Sequence, residues 1–83
     1  SNAMANMMLE MSSKMQIIAI THLPQVAAKG NQQLNVYKQN SISSTSTMVK
    51  QLNKQERIDE ISKMLAGDLI SESAVTHAKE LLN

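Results

Sequence analysis

Few side chains in this sequence could do chemistry. There are two histidines, His22 and His77, and no cysteine. The lack of a thiol excludes a disulfide framework, a thiolate metal site and a cysteine nucleophile. Two histidines without carboxylates at ligand spacing do not argue for a metal site either. Serines and threonines gather between Ser41 and Thr47, but no base lies near them in sequence to activate a hydroxyl, so they read as loop and edge strand. His22 stands apart. It follows the apolar run Ile17-Ile18-Ala19-Ile20 and Thr21, and it precedes Leu23-Pro24.

The elements around His22 explain its interest. Four consecutive apolar residues, Ile17 to Ile20, are the pattern of a strand buried on both faces of a largely parallel sheet. Leu23 is pushed towards extended geometry by the following proline, and Pro24 suits the first position of a helix. Gly30 fits the left-handed residue that often ends a helix. The predicted order is strand, Thr21-His22, then a short helix over 24–29. In open α/β sheets ligands bind beyond the carboxyl ends of strands, which is where His22 would sit. The alternative on residues alone is a strand-end histidine with no ligand, and for Thr21 a residue that merely closes the strand.

The rest of the chain supplies supporting elements. Met4, Met8 and Met11 share a helical face, with Met7 and Leu9 nearby, and read as a short amphipathic helix packed on the sheet or as a methionine-rich groove for a partner. Ser12, Ser13 and Lys14 break the pattern. Leu34 and Val36 alternate with Asn35 and Tyr37, predicting a half-exposed strand over 32–38. A polar, serine-rich loop over 40–44 leads to a returning antiparallel strand over 45–52. Asn53 and Glu56 have the spacing of a capping box, Ile58, Ile61 and Leu65 form the stripe behind it, and Gly67 stops that helix. Arg57 falls at the edge of the stripe. It reads as a side chain with its methylenes on the core and its charge in water, or as a contact to phosphate or a neighbouring subunit. Ser71 caps a last helix whose stripe is Ala74, Val75, Ala78, Leu81 and Leu82, with His77 on its margin.

Composition limits what the chain can do alone. Eighty-three residues make at most one small domain, near the size where one core is only marginally stabilising. Tyr37 is the sole aromatic residue, so the core rests on aliphatic side chains and seven methionines. Eight basic and seven acidic residues leave a net charge of +1, far from the basic footprint of an autonomous nucleic-acid binder. No apolar run approaches the ~18 residues needed to span a bilayer. Residues 1–3 read as the remnant of an expression tag, leaving 4–83 as the folding unit, and no secretory signal is evident. No phosphate-binding G-x-x-x-x-G-K-[ST] occurs, and Gly30 and Gly67 stand alone.

Three blocks nevertheless carry a resemblance. Ile20–Gly30 (ITHLPQVAAKG), Arg57–Asp68 (RIDEISKMLAGD) and Ala74–Leu82 (AVTHAKELL) closely resemble the C-terminal end of the RecN family of bacterial DNA double-strand-break repair and recombination ATPases. That family belongs to the SMC-like branch of the ABC-type ATPases, and the likeness runs over nearly the whole chain. It implies an α/β fold: the last piece of a P-loop ATPase head, built of a helix, the buried strand, a short helix, a β-hairpin and two C-terminal helices. It also implies that His22 is the switch (H-loop) histidine, which reaches the γ-phosphate of ATP. Walker A, Walker B, signature motif and coiled coil would then lie upstream. The parent would bind ATP and Mg, DNA and a second ATPase head, and would be cytoplasmic and nucleoid-associated. The fragment alone would bind no cofactor or metal, hydrolyse nothing, and self-associate as a dimer or swapped oligomer through its open strand or its methionine helix. The other readings are a fragment of another ABC-type repair or transport ATPase, and a non-catalytic interaction module.

Overall fold

A computed structural model describes residues 2–83. It is a small α/β arrangement of four helices and a two-stranded antiparallel sheet. In chain order these are α1 (Asn2–Met11), α2 (Pro24–Lys29), β1 (Leu34–Asn40), β2 (Thr45–Gln51), α3 (Lys54–Ala66) and α4 (Glu72–Leu82).

The two C-terminal helices form for local reasons that the sequence states. The Asn53 side chain accepts from the Glu56 N–H at 2.8 Å, and the Glu56 carboxylate accepts from the Asn53 N–H at 2.9 Å. This reciprocal pair satisfies donors that a helix start leaves orphaned. The helix ends at Gly67, whose N–H donates to the Lys63 carbonyl at 2.7 Å while its φ is +76° and ψ −157°. That backbone region is open almost only to glycine. Ser71 caps α4 by accepting from the Ala74 N–H at 3.2 Å.

Helix α2 is the hub of the helical layer, packing against α1, α3 and α4, while α3 and α4 pack on each other. The core consists of Ala28 of α2, Ile58 and Ile61 of α3 and Ala78 of α4, with Leu65, Val75, Leu81 and Leu82 against it. Ile61 and Ala78 are wholly buried. Ser62 is also buried, and its hydroxyl donates to the Ile58 carbonyl at 2.6 Å, so the polar group is satisfied within its own helix. Within α1 the one buried residue is Ala5; Met4, Met7, Leu9 and Met11 are exposed and Met8 is half-buried. The methionine face is thus not covered by a sheet. The helix begins at Asn2, and Asn2 and Ala3 are exposed.

The hairpin is antiparallel, as expected, with its first strand over Leu34–Asn40 rather than 32–38; Val36 lies opposite Val49 and Tyr37 opposite Met48. Its loop closes on itself: the Ser41 N–H donates to the Ser44 carbonyl at 2.7 Å, and the Ser44 N–H donates to Ser41 Oγ at 3.1 Å. At the base, the Leu52 N–H donates to the Gln33 carbonyl at 2.9 Å, and Lys50 pairs with Glu56 of α3. All of β2 is exposed and only Asn35 of β1 is half-buried, so the hairpin stands away from the helical core.

Two expectations are corrected. No strand forms over 17–20; residues 12–23 contain no helix or strand, Ile18 is 81% exposed and Ile20 is fully exposed. A parallel strand exists only through neighbours that supply its ladder partners, and among the described residues the one sheet is the antiparallel β1–β2 pair. Gly30 is not left-handed but extended, at φ −66° and ψ 145°. Its role is close approach, since a Cβ there would meet the Gln32 carbonyl oxygen at 3.1 Å.

Candidate functional site

The segment around His22 is held from both sides. Thr21 Oγ1 accepts the Leu23 N–H at 3.0 Å, a side-chain turn that bends the chain just before the helix. Leu23 has the extended backbone that its proline neighbour demands, φ −95° and ψ 120°, and Pro24 begins α2. The Leu23 carbonyl accepts from the N–H groups of Val26 at 3.1 Å and Ala27 at 3.0 Å. With no strand for it to close, Thr21 instead fixes through its hydroxyl the bend in which His22 lies. Around that bend Thr21 and Leu23 are half-buried while His22 itself is exposed. The imidazole is not packed among aliphatic neighbours and is available to a ligand or another surface.

Behind His22, α2 is anchored. Val26 and Ala28 are buried, Ala28 in the central cluster with Ile58, Ile61 and Ala78. The helix is only six residues long, too short to be stable by its own hydrogen bonds. Its C-terminal carbonyls need donors from elsewhere. Arg57 of α3 provides them: its Nη2 donates to the Ala27 carbonyl at 3.1 Å and to the Gly30 carbonyl at 2.9 Å, and its Nε donates to Gln33 Oε1 at 3.3 Å. Arg57 is half-buried, and desolvation lowers its pKa from the ordinary guanidinium value. A guanidinium stays charged in proteins, and placing that charge at the negative end of a helix is favourable. The reading of Arg57 as a water-facing charge is therefore wrong, because its head is turned onto backbone carbonyls. Its edge position in the α3 stripe was visible in sequence; its partners, 27 and 30 residues away, were not.

His77 is brought to no site of this kind. It is exposed on α4, beside Glu72, Ser73, Thr76 and Glu80 on an open shallow surface. Among the described residues, no three His, Cys, Asp or Glu side chains gather into a group able to hold a metal ion. Among the same residues, no helix is long and apolar enough to cross a membrane.

No protein-family model matches the chain. Individual proteins do. It is 52% identical over 67 residues to the DNA repair protein RecN of Streptomyces coelicolor, a match covering 81% of this chain and 12% of that protein. It is 45% identical over 67 residues to RecN of Vibrio cholerae, again 81% of this chain and 12% of the relative. With RecN of Bacillus subtilis it shares 42% identity over 82 residues, 99% of this chain and 14% of the relative. The chain thus spans only 12–15% of the length of the curated relatives it matches. On this likeness, the chain belongs to the RecN family of DNA repair proteins, to whose C-terminal part it corresponds.

Proposed function

We propose that the chain is the C-terminal subdomain of the ATP-hydrolysing head of a RecN-type, SMC-like ABC ATPase, and that His22 is its switch histidine. The observation that carries this reading is the geometry at Thr21–Pro24. A side-chain turn and a proline-started helix hold an exposed imidazole on a bend whose two neighbours are half-buried. The apolar residues leading to it support the reading, because Ile18 and Ile20 lie bare and no strand among the described residues pairs with them.

In this account Ile17–Ile20 joins a larger sheet contributed by the rest of the head. His22 then donates a hydrogen bond to a γ-phosphate oxygen of ATP and helps position the transferring group. Phosphoryl transfer asks a protein mainly for positioning and for stabilisation of charge on the phosphoryl oxygens, and an imidazole N–H supplies both. The phosphate cradle and the Mg ligands come from other parts of the parent, since this sequence has no Walker A glycines. The fragment alone is inactive, whereas the parent, working on DNA in the cytoplasm with a second head, is the enzyme.

The test is ATP turnover of the intact parent carrying His22→Ala. A lost charge-stabilising donor lowers turnover roughly 10²–10³-fold with folding retained. Wild-type turnover in this variant contradicts the assignment.

A further inference from the structure

We infer that Arg57 is a positioning residue for His22: by clasping the C-terminal end of α2 it fixes the body that carries the histidine at the other end. This rests on the reading of His22 as the phosphate-facing group.

Helix α2 has two ends with different tasks. His22 is attached at the start through Leu23 and Pro24, and Thr21 Oγ1 locks that attachment. At the other end, the carbonyls of Ala27 and Gly30 converge on one Nη2 of Arg57. The fork geometry of a guanidinium lets one side chain hold both carbonyls while its Nε reaches Gln33 in the segment leading to β1. Apolar burial is non-directional, so Val26 and Ala28 hold the helix to the core but leave so short a segment freedom to shift along it. The Arg57 fork removes that freedom and ties α2 to α3, whose own start is fixed by the Asn53–Glu56 capping box. Helix α2 and α3 thus move as one body with His22 at its edge. A displacement of about 1 Å in a positioned group can cost about 10²-fold in rate, so the clasp bears directly on turnover.

The experiment compares Arg57→Ala, Arg57→Lys, His22→Ala, the Arg57→Ala/His22→Ala double variant and Ser71→Ala, all in the intact parent. Steady-state ATP hydrolysis is measured per folded molecule, with folding followed by chemical denaturation. Arg57→Ala is expected to lower kcat about 10–10²-fold with KM for ATP unchanged. Arg57→Lys is expected to restore little, since a single ammonium cannot present the fork. The double variant should be no slower than His22→Ala, because the two residues act on one step. Ser71→Ala, which removes the cap of α4 without touching Arg57 or its partners, should leave kcat unchanged. Should Arg57→Ala not fold, Arg57→Lys carries the same comparison. Wild-type kcat in both Arg57 variants alongside a collapsed His22→Ala overturns the clasp and leaves the histidine assignment standing. Equal loss of kcat in Ser71→Ala and Arg57→Ala also overturns it, reducing Arg57 to a stabilising contact. Wild-type turnover in His22→Ala overturns the histidine assignment itself, and the clasp with it.

Discussion

Arg57 and Glu56 are adjacent and serve opposite purposes. Arg57 turns inward to carbonyls near α2, and Glu56 turns back to the helix start and to Lys50 of β2. Removing the guanidinium leaves the carbonyls of Ala27 and Gly30 without that donor. Arg57→Ala should therefore destabilise the isolated chain by about 1–3 kcal/mol, read from the urea midpoint. Glu56 makes a different prediction. Its pKa is lowered, first by the Asn53 N–H and then by the Lys50 ammonium, and the Lys50 pKa is correspondingly raised by Glu56. A carboxyl whose folded pKa is depressed adds stability that is present above its unfolded pKa and lost as pH falls through the folded value. An ammonium whose folded pKa is raised adds stability that is lost as pH rises through its folded value. Urea midpoints of the wild-type chain should thus fall on acidification below the carboxylate range. Glu56→Gln should flatten that fall, and an unchanged acid limb would show the pair to be unimportant.

Among the elements, those specified by short-range chemistry were legible in the sequence. The Asn53–Glu56 spacing and Gly67 fix α3, Ser71 fixes the start of α4, and alternation with a serine-rich loop fixes the hairpin. The Ile17–Ile20 run was not legible in the same way. Its apolarity suggests burial against strands, but strand formation depends on ladder partners distant in sequence; among the described residues none pairs with it, and Ile18 and Ile20 are exposed while Ile17 is half-buried. The end of α2 was misread for a related reason: a local rule assigned Gly30 a left-handed turn, while a distant arginine meets the same carbonyls. Two variants probe this level. Ile61→Ala removes the largest fully buried side chain, at the α3–α4 contact, and should cost about 2–5 kcal/mol. Gly67→Ala meets no neighbouring atom, so its whole cost is backbone strain of about 1–3 kcal/mol. Thermal or urea unfolding of each distinguishes a packing loss from a backbone one, since the alanine at 67 creates no cavity.

Over the whole molecule, the notable quantity is exposed apolar surface. Ile18 and Ile20, the Leu34–Val36–Val49 patch of the hairpin and Met4, Met7, Leu9 and Met11 of α1 all face outward. So much bare apolar surface on a small chain favours association. Light scattering of the isolated chain should report a dimer or larger species at high concentration, and Ile18→Lys with Ile20→Lys should shift it towards monomer. A monomer at every concentration would show that the bare segment needs no cover. The helical core around Ala28, Ile58, Ile61 and Ala78 lies apart from these exposed residues.

The most direct test of that account is a structure of the intact parent holding a non-hydrolysable ATP analogue and Mg. The account predicts an imidazole nitrogen of His22 within about 2.6–3.2 Å of a γ-phosphate oxygen, with Ile17–Ile20 paired between strands of the head. A His22 ring turned away from the nucleotide, with Ile17–Ile20 still unpaired in the complete protein, would contradict it.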